Sequence, residues 1–109
     1  MMTLVCGLPG SGKSFFASRL AERLNADYIS SDRVRKALLA TGRYSFEDKL
    51  RIYQHMAERA GALVSQGKDV VVDATFYHHS MRELFTQTAL QNRCPVRFIV
   101  IVASEALVK

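Results

Sequence analysis

The chain is expected to fold as an α/β domain, with a parallel sheet sandwiched between helices. Three observations carry that expectation. Short apolar runs of strand length alternate with longer segments of helical spacing. The runs Leu4-Val5-Cys6 and Val70-Val71-Val72 are apolar without alternation, as strands covered on both faces are. A glycine-rich turn from Gly7 to Ser14 joins the first of these runs to the first helical segment. Strands that alternate with helices are linked by crossovers, and crossovers make the strands parallel.

Each element has its own warrant. The first strand is read at Thr3–Cys6. A helix follows over Lys13–Leu24, where Phe16, Leu20 and Leu24, with Ala17 and Ala21, form one apolar stripe and Arg19, Glu22 and Arg23 face out. Tyr28-Ile29-Ser30 is the second strand. A short helix is expected over Asp32–Ala40, stopping at Gly42. Ser45-Phe46-Glu47-Asp48 has the form of a capping box, and Phe46, Leu50, Tyr53, Ala57, Ala60 and Val64 give the long helix behind it a core-facing stripe until Gly67. Val70-Val71-Val72 is the third strand. Ser80-Met81-Arg82-Glu83 is a second capping box, opening a helix to about Asn92 with Leu84, Phe85 and Thr88 inward. Val96–Val102 is the fourth strand and the strongest of all. Ser104 reads as the N-cap of one more helix.

Composition bounds the rest. The chain has 109 residues, 49% of them hydrophobic, enough for one domain with one core. No apolar run approaches the ~18 residues of a membrane span, and the start lacks the basic region of a signal peptide. Cys6 and Cys94 show no C-x-x-C spacing and read as reduced, structural thiols of a cytoplasmic protein. The formal net charge of +5 favours anionic ligands without choosing among them.

The glycine-rich turn names a ligand class. Gly7-Leu8-Pro9-Gly10-Ser11-Gly12-Lys13-Ser14 is G-x-x-x-x-G-K-S, the phosphate-binding loop (P-loop), in strand–loop–helix context. Its backbone amides, with the start of the next helix as far as Phe15, can cradle phosphate oxygens. Lys13 can reach the β and γ phosphates, and the Ser14 hydroxyl can bind Mg²⁺. The dinucleotide fingerprint G-x-G-x-x-G fails, because Phe15 stands where its third glycine belongs. The pattern therefore points to a nucleoside triphosphate, ATP or GTP, with Mg²⁺.

Two further clusters refine this. Asp73 closes an apolar strand, as a Walker B carboxylate does, and would stand near Mg²⁺ beside the P-loop strand. Asp32 and Arg35 follow the second strand at a spacing that points both side chains the same way on a helix. A carboxylate there can accept a proton from an attacking hydroxyl, and a guanidinium can neutralise a transferring phosphoryl group. Asp32 as a plain N-cap is the alternative.

With these residues in place, the chain resembles the kinase-type branch of P-loop proteins that includes polynucleotide 5′-hydroxyl kinases, zeta toxins and chloramphenicol phosphotransferases. Gly7–Ser14, Ser31-Asp32-Arg33-Val34-Arg35 and Val71-Val72-Asp73-Ala74-Thr75 carry the resemblance, in the family's order. It implies a strand order of 2-3-1-4 with a fifth strand following. It also implies that Asp32 acts as base toward the acceptor hydroxyl and that Arg35 contacts phosphate. The acceptor would be a small molecule or a nucleic-acid 5′ end. The branch carries lid arginines and a final strand, whereas here the last arginine is Arg97. The expectation is one nucleotide-binding domain over residues 1–109, incomplete at its C-terminus.

Two other classes stay open in the sequence: an NTPase in which water replaces the acceptor, and a nucleotide-binding module that does no chemistry. Among weaker features, His78 and His79 read as surface loop residues and His55 as a solvated position on the long helix. Arg33, Arg35, Lys36, Arg43, Lys49 and Arg51 make the middle of the chain basic. Arg82 could reach the site from the start of its helix.

Overall fold

A computed structural model describes residues 1–7, 11–38, 46–76 and 79–102. The elements run β1 (Met2–Cys6), α1 (Lys13–Leu24), β2 (Asp27–Ser30), α2 (Ser31–Leu38), α3 (Phe46–Ser65), β3 (Val70–Asp73), α4 (His79–Gln91) and β4 (Val96–Val100). The four strands form one parallel sheet in the order β2-β3-β1-β4. This is the order that the resemblance implies.

Alternation along the strands divides the core in two. Met2, Leu4, Val70, Val72 and Ile29 point to one face, where they meet Ile52, Tyr53, Met56 and Ala60 of α3 and Met81, Phe85 and Ala89 of α4. Val5 and Val71 point to the other face and pack on Ala17 and Ala21 of α1. Helices therefore cover both faces, which makes three layers. Thr3 lies buried on the α1 side, and its hydroxyl has no hydrogen-bond partner among the described residues.

Helix ends follow local chemistry. Asn25 takes a left-handed conformation (φ 53) and closes α1, and the Ala26 N–H bonds the Ala21 carbonyl at 2.8 Å. Gly67 (φ 79) closes α3 in the same way, with the Lys68 N–H on the Leu63 carbonyl at 3.1 Å. At the start of α2 the Arg33 N–H donates to Ser30 Oγ at 3.4 Å, so Ser30 and not Asp32 stands in the capping position.

Several expectations need correction. In α1 the small residues Ala17 and Ala21 are buried and Leu20 is half-buried, but Phe16 and Leu24 are exposed. Alanines let the helix lie close to the sheet, and the larger side chains fall beside the contact. Along α3, Phe46 is exposed, while Ile52 and Met56 join the core. That stripe is wider than a single row because α3 packs on both β-strands and α4. Ser80 lies inside α4, which starts at His79, so the second capping box is out of register. β4 ends at Val100 and is an edge strand, with Phe98, Val100 and Val102 exposed. Its apolar character does not mean two-sided cover among the described residues. Ala40, Gly42, Ser45, His78 and Ser104 lie outside the described residues.

Candidate active site

β1 and β3 are neighbours with Val5 opposite Asp73, so the P-loop and Asp73 emerge at the same sheet edge. Leu8, Pro9 and Gly10 lie outside the described residues, but both ends of the loop are visible. A Cβ on Gly7 would stand 2.9 Å from the Ile101 carbonyl oxygen, closer than real side chains come, and a tight 3.1 Å from Ser11 Oγ. Gly12 has φ 86 and precedes α1, with the Phe16 N–H on its carbonyl at 3.0 Å. A left-handed residue at this junction turns the chain sharply into the helix and favours glycine.

Lys13 is the first residue of α1 and is buried. Its ammonium bonds Asp73 Oδ1, and Asp73 itself is 1% exposed at the end of β3. An ammonium has three donors, so this bond leaves two for other oxygens. Ser14 and Phe15 are exposed in the first turn. The Phe15 ring lies under Arg19, 5.4 Å from its guanidinium carbon, so Phe15 can meet a phosphate only through its backbone.

The partner that sequence reasoning missed is Tyr28. Its hydroxyl donates to Asp73 Oδ2 at 2.5 Å. Tyr28 lies opposite Val71 in β3, so Asp73 is its diagonal neighbour on the same face. Burial, then the bond to Asp73, pushes the Tyr28 hydroxyl up to about 12 from its ordinary 10.0. Arg33 stacks on the far side of the ring, 4.9 Å from its centroid. Each carboxylate oxygen of Asp73 thus has one protein donor and keeps lone-pair capacity.

Ser30 faces Asp73 across the β2–β3 ladder, and Asp32 follows two residues later, at the same sheet edge. Asp32 and Arg35 are brought together as a pair at 2.8 Å, and Lys36 approaches the other Asp32 oxygen at 3.5 Å. The Arg35 bond holds the Asp32 carboxyl below its usual range despite slight burial. Asp32 is largely exposed, so the ion pair adds little to stability.

A loop leaves Asp73 toward α4, and Tyr53 of α3 fixes it. The Tyr53 hydroxyl accepts the Phe76 N–H at 3.2 Å and lies 3.3 Å from Thr75 Oγ1. Phe76 is held at φ 52, unusual for a large side chain, by edge-on contacts with Tyr53 and Phe85. Burial raises the Cys6 thiol at the end of β1, while the positive charges of Arg82 and Lys13 act against it. Arg82 therefore adds a cation near the start of the P-loop. His79 begins α4 and pairs with Glu83 at 2.8 Å. Cys6 and Cys94 are both free, Cys6 buried and Cys94 half-buried.

Ser14 and Asp73 give an all-oxygen donor set of one hydroxyl and one carboxylate with spare lone pairs. That suits Mg²⁺, which binds through one or two carboxylates together with phosphates and water. Among the described residues no group of three or more His, Cys, Asp or Glu could hold a metal, and no helix is long and apolar enough to cross a membrane.

The fold and this sheet edge define a P-loop nucleotide-binding domain of the kinase-like type. A family model described as an AAA domain matches residues 2–109, and the chain belongs to that family. An uncharacterized protein of Mycobacterium tuberculosis is 34% identical over 93 residues, which is 74% of this chain and 19% of that protein. The chain thus spans about a fifth of the length of the curated relatives it matches. Among solved structures, a protein designated APE1195 is 25% identical with a TM-score of 0.84, covering 99% of this chain and 66% of its own. The Mycobacterium tuberculosis APS kinase in complex with AMPPNP and APS is 21% identical with a TM-score of 0.76, covering 93% and 61%. A gluconokinase from Sinorhizobium meliloti is 22% identical with a TM-score of 0.70, covering 97% and 59%.

Proposed function

We propose that the chain binds ATP with Mg²⁺ and transfers the γ-phosphoryl group to a hydroxyl of a small molecule or a nucleic-acid 5′ end. One observation carries the reading. The buried Lys13–Asp73 pair at the P-loop shares a sheet edge with the Asp32–Arg35 pair. Two structural relatives, an APS kinase seen with AMPPNP and APS and a gluconokinase, support the reading.

Gly7, Gly10 and Gly12 shape the loop, and the amides from Leu8 to Phe15 hold phosphate oxygens with Lys13. Ser14 and Asp73 hold Mg²⁺, directly or through water. The ion, when bound, neutralises charge on the β and γ phosphates. Tyr28 keeps Asp73 from rotating. While Arg35 holds Asp32, that carboxylate is a weak base suited to orienting a hydroxyl. When Arg35 turns to the phosphoryl oxygens, Asp32 regains basicity and takes the acceptor's proton. Positioning and electrostatics supply the rate.

We read residues 1–109 as the nucleotide-binding part of a larger kinase domain, supported by the partial coverage of the structural relatives. The free thiols support a cytoplasmic setting.

The test measures phosphate transfer to a panel of hydroxyl acceptors, ATP hydrolysis and nucleotide affinity together. Asp32→Ala should abolish transfer and largely spare nucleotide affinity. Equal loss of both would refute its role. ATP binding without any transfer, here and in a longer chain, would sink the kinase reading. Hydrolysis that no acceptor accelerates would favour an NTPase.

A further inference from the structure

On the outer flank of β2, lined by none of the described P-loop residues, lies a pocket of about 220 Å³. Tyr28, Ser30 and Arg33 line it from the β2–α2 side, and His55 and Arg59 from α3. No lining residue is acidic. The neighbouring cations of α2, Arg35 and Lys36, share Asp32. Arg33, His55 and Arg59, by contrast, have no carboxylate partner among the described residues. His55 and Arg59 stand one helical turn apart, an arrangement that repels when both are charged.

The polar groups are suited to one kind of guest. Arg33 is held flat on the Tyr28 ring, which fixes its fork while its edge N–H groups stay available. Ser30 is 5% exposed; its oxygen accepts the Arg33 backbone N–H and its O–H bonds the Tyr28 hydroxyl, so it holds Arg33 and Tyr28 in place and leaves the guest to the cations. Two guanidiniums and an imidazole around a small cavity without an acidic wall are complementary to an oxyanion. Base stacking is poorly served, because Arg33 already covers the Tyr28 ring.

We infer that this pocket is an oxyanion site, separate from the P-loop, that takes a phosphate group. The phosphate is either free or carried by a small metabolite. The site does not depend on phosphoryl transfer by the chain.

The experiment titrates inorganic phosphate into the full chain saturated with Mg²⁺ and AMPPNP, with chloride holding the ionic strength constant. NMR follows the Nε–H groups of Arg33 and Arg59 and the His55 ring. The nucleotide site is saturated before phosphate is added, and failure of nucleotide binding would be seen separately at P-loop amides. The expected result is a saturable shift of all three groups. Arg59→Gln should weaken it about tenfold, the scale of one lost charge-assisted hydrogen bond. Arg23→Gln, on an exposed part of α1, should leave it unchanged. Tighter saturation by glycerol 3-phosphate than by inorganic phosphate assigns the site to a phosphorylated metabolite, and the reverse order to free phosphate. Shifts that never saturate, or that chloride reproduces, overturn the inference. So does an Arg59→Gln chain that titrates like the wild type. A 5′-hydroxyl trinucleotide that saturates these signals more tightly than either probe overturns the compact-anion assignment in favour of nucleic acid.

Discussion

Replacing Tyr28 with phenylalanine isolates one hydrogen bond and leaves the ring on which Arg33 stacks. The bond is short and ends on Asp73, a carboxylate almost without solvent contact. A hydrogen bond to a charged group contributes about 1.5–3 kcal/mol, and the half-buried position of Tyr28 lowers that to about 1–2 kcal/mol. At ~4–8 °C per kcal/mol for a domain of this size, Tyr28→Phe should lower Tm by roughly 4–16 °C at pH 8. The pH dependence gives a second reading. Tyr28 titrates near 12 in the folded chain against 10.0 unfolded. Because the folded value is raised, its contribution is complete below pH 10 and is lost as pH rises through 12. A displacement of that size is worth at most ~2.7 kcal/mol, and partial exposure reduces it to about 1–2 kcal/mol. Phenylalanine cannot ionise, so the stabilities of the two proteins should converge as pH rises from 9 to 11.5. Urea denaturation at several pH values measures both effects. Equal stability at pH 8, or a gap that stays constant across that range, would refute the assigned bond.

Three other substitutions follow from single observations. Gly12→Ala should cost about 1–2 kcal/mol in denaturant melts, because φ 86 is strained for alanine although nothing lies within 4 Å of the added carbon. Gly12→Asn should cost less, and an equal cost would point to a different cause. Thr3→Val should raise stability by about 1 kcal/mol, since it removes a buried hydroxyl without a described partner and keeps the shape. A loss on urea denaturation would mean that the hydroxyl is satisfied. Phe85→Ala should cost about 3–5 kcal/mol, because the ring is fully buried between Tyr53 and Phe76. A cost below 1 kcal/mol by the same measurement would contradict that packing.

Much of the site was legible one residue at a time. G-x-x-x-x-G-K-S behind an apolar run predicts a strand, a left-handed glycine and a lysine at a helix start, and Gly12 and Lys13 occupy those places. Asp32 and Arg35 meet because a helix brings residues at that spacing together, which local geometry alone decides. Asp73 ends its strand as read. The expectations that missed came from equating apolar with buried. Phe16, Phe46 and Phe98 are large and apolar yet exposed, whereas Ala17, Ala21 and Ala60 carry the close contacts. Side-chain size reports how much surface a residue could bury. How close the backbone approaches its neighbour decides which residues do.

Sequence by itself determined the order of strands and helices, the phosphate loop and the residue types at the sheet edge. Those depend on periodicity, turn chemistry and spacing along the chain, all local properties. Only the tertiary structure decided that Tyr28 holds Asp73, that Tyr53 anchors the loop behind it, and that Arg33 shares a pocket with His55 and Arg59. Tyr28 and Asp73 are 45 residues apart in the chain. They meet because β2 lies beside β3 in a register that puts both side chains on one face. The pairing of distant strands is a property of the whole sheet, and no single segment of the chain encodes it.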